Sequence, residues 1–174
     1  MNPTPEKERN LTTMRRFLPI LISLALLLTL ASCKKENYRD DLPVNALSGT
    51  VIVSLSDTDY STADDGFLDD YFQTPDYVRE KIICFANEGN NLNEFGIYRV
   101  TDGNAAQMKD VLEKYLTDSY ERNQAWYDSY IPEETPKLRD AEVKVYGNYV
   151  VYAIFSQEGR TTVFATVEEM LATK

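Results

Sequence analysis

Glu142-Val143-Lys144-Val145-Tyr146-Gly147-Asn148-Tyr149-Val150-Val151-Tyr152-Ala153-Ile154-Phe155 is a pair of β-branched and aromatic runs joined by a two-residue link. A Gly-Asn link between two such runs suits a type I′ or II′ hairpin turn. Setting Tyr146 opposite Tyr149 puts Val143, Val145, Val150, Tyr152 and Ile154 on one face, which reads as a core face. The other face carries Lys144, Tyr146, Tyr149, Val151, Ala153 and Phe155, and is expected to be partly wet.

Reading outward from the hairpin, Val163, Phe164, Val167, Met170 and Leu171 recur at helical spacing and predict a terminal helix over about 161–172. Upstream, Met108, Val111, Leu112, Tyr115, Leu116, Ser119, Asn123, Trp126, Tyr127 and Tyr130 predict one long helix. Asn104 with Gln107 resembles a capping box at its start, and Pro132 stops it near Tyr130. Before it, Lys81-Ile82-Ile83-Cys84-Phe85 and Glu94 to Val100 read as two strands, with the Asn-rich stretch 87–93 as the loop between them. Thr50-Val51-Ile52-Val53-Ser54-Leu55 reads as a strand from its β-branched content, and 63–72 as a short helix. The resulting order, β-α-β-β-α-β-β-α, predicts an α+β fold: an antiparallel sheet of four to five strands with one long helix and a C-terminal helix packed against one face.

The N-terminal region has a different character. Met14-Arg15-Arg16 precedes 15 mostly apolar residues, Phe17 to Ala31, too short for the roughly 20 that cross a bilayer as a helix. They end in Leu30-Ala31-Ser32-Cys33. This pattern resembles the lipobox of bacterial lipoproteins, and the resemblance implies cleavage before Cys33 and acylation of its thiol. Two acyl chains hold a protein firmly to a bilayer, at about 0.8 kcal/mol per buried methylene. The expected organisation is a signal peptide over 1–32 with translation starting at Met14, a lipidated Cys33 with a flexible tether over 33–47, and a single domain over 48–174. The expected location is the extracytoplasmic face of the cell membrane.

Charge narrows the partners. The whole chain carries 18 Lys plus Arg against 28 Asp plus Glu, a net of −10, with no His. The first 32 residues hold four basic and two acidic side chains, which leaves 14 against 26 and a net of −12 for the remainder. Such a chain repels phosphate backbones, so nucleic acid is not an expected partner. Without His, Ser-His-Asp and Cys-His catalysis and His-ligated zinc are excluded. Cys84, within an apolar run, reads as a buried small hydrophobe.

Three stretches, Glu94-Phe95-Gly96-Ile97-Tyr98-Arg99-Val100, the helix end Trp126-Tyr127-Asp128-Ser129-Tyr130-Ile131-Pro132-Glu133-Glu134 and Gly147-Asn148-Tyr149-Val150, resemble small lipoproteins of Gram-positive anaerobes that carry a domain of unknown function. The similarity spans roughly residues 60–172 and implies no activity.

Three functional readings stay open. Trp126, Tyr127, Tyr130, Tyr146 and Tyr149 form a possible binding surface, because aromatic side chains with polar tips are enriched at interfaces. The competing role for them is packing the helix end onto the sheet. The leading expectation is therefore a non-catalytic binding module at the cell envelope, meeting an envelope protein or wall polymer. A small-solute or peptide capture lipoprotein is the second reading. A hydrolase built on carboxylates such as Asp69 and Asp70, or Glu133 and Glu134, is the third. The acidic stretch Asp57, Asp59, Asp64, Asp65, Asp69 and Asp70 fails the calcium-loop spacing, with Thr62 and Leu68 where Gly and Glu belong, and reads as a solvated helix start. No cofactor, metal or catalytic residue is assigned.

Overall fold

The hairpin forms with the expected register, Tyr146 opposite Tyr149 and Val143 opposite Tyr152. Gly147 has φ +60° while Asn148 does not share a positive φ, the type II′ pattern that matches strand twist. The computed structural model describes residues 37–56 and 59–173; Cys33, the apolar run before it and the Met14 start lie outside the described residues, as does Asp57. The described elements are α1 (Val44–Leu55), β1 (Tyr60–Thr62), β2 (Val78–Ala86), β3 (Glu94–Val100), α2 (Ala105–Tyr130), α3 (Thr135–Arg139), β4 (Glu142–Tyr146), β5 (Tyr149–Ile154) and α4 (Gln157–Leu171). The five strands form one sheet in the order β1-β2-β3-β5-β4, with each neighbouring pair antiparallel. The fold is α+β, with the long helix and the C-terminal helix packed on the sheet.

Helices cover both faces, not one. On one face α2 and α3 bury Met108, Leu112, Leu116 and Leu138 against Ile83, Tyr98, Val150 and Tyr152. On the other, α1 and α4 bury Leu47, Val51, Phe164 and Val167 against Cys84, Phe95, Ile97 and Val151. The second face of the hairpin is therefore dry except at Lys144, which stays exposed: Tyr146, Tyr149, Val151, Ala153 and Phe155 are all buried. Every residue of β5 is buried because both its faces are capped and it lies between β3 and β4.

The stretch 44–55 is a helix, which corrects the strand expected at 50–55. Val44, Leu47, Ser48 and Val51 sit at helical spacing and are buried, so packing on the sheet overrides β propensity. The first free N–H of α1, on Val44, donates to Glu80 Oε2 at 3.2 Å. The flexible tether expected over 33–47 is also corrected from residue 37 onward. Tyr38 bridges to Ala172, Arg99 grips Asp40, and Tyr149 Oη donates to the Leu42 carbonyl at 2.6 Å. Residues 65–71 form successive turns rather than a helix. Asn104 makes no side-chain cap; its amide donates back to Thr101 Oγ1 at 2.8 Å, so the capping box does not form. β1, a three-residue edge strand, and the one-turn α3 carry too little pattern to be read from sequence.

Candidate functional site

The five aromatic residues expected as one surface are split by the sheet. Tyr146 and Tyr149 lie in the core between the sheet and α1 and α4, and Tyr146 Oη donates to the Phe164 carbonyl. They are removed from any exposed surface, because the second hairpin face is covered. Trp126, Tyr127 and Tyr130 stay together at the end of α2, on the opposite side of the sheet.

The helix itself explains their exposure. α2 runs 26 residues, roughly 39 Å at 1.5 Å per residue. Its fully buried positions end at Ser119, so the last turns overhang the sheet. There Trp126 is 54 % exposed and Tyr130 70 % exposed. One turn apart, they stack with ring centroids 5.0 Å apart and planes 29° apart. Tyr127 turns inward, its ring edge-on to Trp126 at 5.4 Å.

Tyr127 connects this surface to a cleft of about 270 Å³. The cleft lies between the middle of α2, the end of the β2–β3 hairpin and the turns at 67–71. Its walls are largely aromatic and aliphatic. Phe67 and Phe85 stack almost parallel at 5.3 Å, and Tyr71 meets Tyr115 edge-on at 5.0 Å. Asn91, Asn93 and Ser119 supply polar groups, and Asn93 Oδ1 is buried without a described partner.

A carboxylate, Glu94, also lines the cleft. Tyr115 Oη donates to Glu94 Oε1 at 2.9 Å, and Tyr152 Oη donates to the same oxygen at 2.5 Å. Three elements meet here: β3 carries the acid, α2 one phenol and β5 the other. Burial raises the Glu94 pKa above its ordinary value, and the two phenol hydrogen bonds oppose that rise without cancelling it. Both phenols are pushed well above their usual range, first by burial and then by the Glu94 charge.

Gly96 makes the arrangement possible. It lies directly opposite Tyr152 in the β3–β5 pairing, and a Cβ there would overlap Tyr152 Cε1. With no side chain at 96, the Tyr152 ring lies across β3 and its hydroxyl reaches Glu94. From sequence, Glu94 reads only as a strand start. The missed signal is phase: Glu94, Gly96, Tyr98 and Val100 share one face of β3, and the last two are core.

The carboxylates considered for hydrolysis do not converge. Asp69 and Asp70 are exposed in the turns. Glu134 is held by Lys137 at 2.7 Å and accepts the Leu92 N–H at 2.7 Å, so it pins the Asn-rich loop to α3. Among the described residues no group of three or more Cys, Asp or Glu is arranged to hold a metal ion. Cys84 is buried and free, its thiol pushed up to about 11 by burial.

A family model described as a domain of unknown function, DUF4358, matches residues 54–155, more than half of the chain. The match takes in all five strands, α2, α3 and every residue of the cleft and the helix-end surface. No curated protein and no solved structure matches the chain.

Proposed function

The chain belongs to the DUF4358 family, and from that premise we propose that it is a non-catalytic binding module, anchored through lipidated Cys33 at the extracytoplasmic face of the membrane. It meets an envelope protein or wall polymer through Trp126 and Tyr130. The observation that carries this reading is the stacked, exposed pair on the overhanging end of α2. Large apolar side chains are rarely left in water together on a soluble surface, and rigid aromatics with polar tips make contact area at low entropic cost. Stacked rings of this kind suit the flat face of a sugar ring or a peptide side chain.

Trp126 is the only Trp in the chain, so its emission reports on this surface alone. The free protein is expected to show red-shifted emission that acrylamide quenches readily. Isolated wall polymer, or the cross-linked envelope partner, should shift it to the blue and protect it. A Trp126→Ala, Tyr130→Ala double variant should lose that partner in cross-linked cells while keeping its circular dichroism. Retention of the partner at the level of the unaltered protein would overturn the proposal. Cys33→Ala, by contrast, should move the folded protein from the membrane fraction to the medium.

A further inference from the structure

The cleft beneath Tyr127 holds an acid, Glu94, with no positive partner among the described residues. Glu94 Oε1 takes both phenol hydrogen bonds, while Oε2 takes none from the described residues. Among the described residues no Lys or Arg lines the cleft. Lys137, which reaches Asn91 Oδ1 at 3.3 Å, is committed to Glu134 at 2.7 Å. Arg122 lies over the Tyr71 ring at 4.8 Å and donates to the Asp70 carbonyl, so it is held at the rim by its own contacts. An acid in an apolar wall with no cation is a costly arrangement for a fold to keep.

From this geometry we propose that the cleft binds a small organic ammonium: a primary ammonium on a compact apolar body, with the charged group at Glu94 and the body among Phe67, Phe85, Tyr115 and Tyr127. The chemistry of the walls selects for it. The carboxylate offers a free oxygen to an N–H donor, and charge-assisted hydrogen bonds are about twice as strong as neutral ones. The surrounding ring faces attract a cation and shelter an apolar body. An anion is disfavoured by Glu94, and a polymer by size, since about 270 Å³ is near the lower end for small-molecule sites. The site is separate in chemistry from the Trp126–Tyr130 surface, and either one can fail without the other.

Calorimetry on the full chain in nonionic detergent tests this with benzylammonium, benzyl alcohol and benzoate. Benzylammonium should bind saturably at one site, benzyl alcohol at least about tenfold more weakly, and benzoate not at all. Glu94→Gln should cut benzylammonium affinity by about tenfold or more while preserving the circular dichroism spectrum. The exposed Asp69→Asn, Asp70→Asn variant should leave it unchanged, which separates the cleft from the general acidity of the chain. Equal binding of benzyl alcohol, no saturable binding of benzylammonium, or equal loss in the Asp69, Asp70 variant would each overturn the proposal. The comparison among ligands on the unaltered protein decides the matter even if Glu94→Gln fails to fold.

Discussion

At Gly96 the missing side chain is itself the structural device. The Tyr152 ring occupies the space a Cβ would fill, and its hydroxyl then completes the Glu94 pair. Gly96→Ala should therefore displace the ring and cost about 1–3 kcal/mol from overpacking, read as a lowered midpoint in chemical denaturation. An unchanged midpoint would mean that the ring has another place to go. Glu94 carries a second consequence, in the pH dependence of stability. Its pKa is raised in the folded protein above the ordinary 4.5. Below 4.5 the acid is protonated in both states and costs nothing. As pH rises through the folded pKa, the native state must ionise a desolvated carboxyl while the unfolded state already has, so stability is lost. The stability of the unaltered protein relative to Glu94→Gln should fall as pH rises above about 4.5. Denaturation midpoints of the pair across that range measure it; a difference that rises with pH would contradict the assignment.

Among the elements, the segment before α1 is the one whose role differs most from expectation. Its composition is polar and aperiodic, yet it is tied to the sheet by directed polar contacts. Asp40 Oδ1 accepts from Arg99 Nε at 3.2 Å, and Asp40 Oδ2 accepts from Asn148 Nδ2 at 3.1 Å. Arg99 also donates to the Asp40 carbonyl and to Glu80 Oε1, each at 2.8 Å. Glu80 in turn caps α1 through the Val44 N–H. One guanidinium thus joins the entry segment, the sheet and the start of the first helix. Asp40→Ala should lower stability by about 1–2 kcal/mol, because the Arg99 side chain is only 18 % exposed and would lose a charged partner. Asp41→Ala should leave the midpoint where it is, since the Arg39–Asp41 pair is solvated. Equal midpoints for the two variants would show that the Asp40 contacts do not hold the segment.

Across the whole molecule, one sheet separates two cores. The span matched to the family ends at Phe155, before α4, and begins at residue 54, in the last turn of α1. The α1–α4 layer therefore lies almost wholly outside that span, yet it buries Tyr146, Tyr149 and Val151 of the hairpin. The strand hairpins, the long helix and the C-terminal helix were legible because their patterns are local: alternation with a tight turn, or apolar residues at helical spacing. α1 was not, since a run such as Thr50-Val51-Ile52-Val53 satisfies both periods when short, and only a sheet face waiting to be covered selects the helix. Trp126, Tyr127 and Tyr130 were legible as a group because one helix holds them. Their separation from Tyr146 and Tyr149 depends on which face of the sheet each packs against, and sequence spacing carries no such information. Glu94, Tyr115 and Tyr152 come from three distant elements and meet through register and through the space left at Gly96. By itself, then, the sequence determined the α+β class, the strand register at the central turn and the net charge of −10, because each follows from neighbouring residues or from totals. Tertiary structure alone decided the two-sided helix cover, the ordering of residues 37–47 and the buried acid in its aromatic cleft, because each is settled by contacts between residues far apart in the chain.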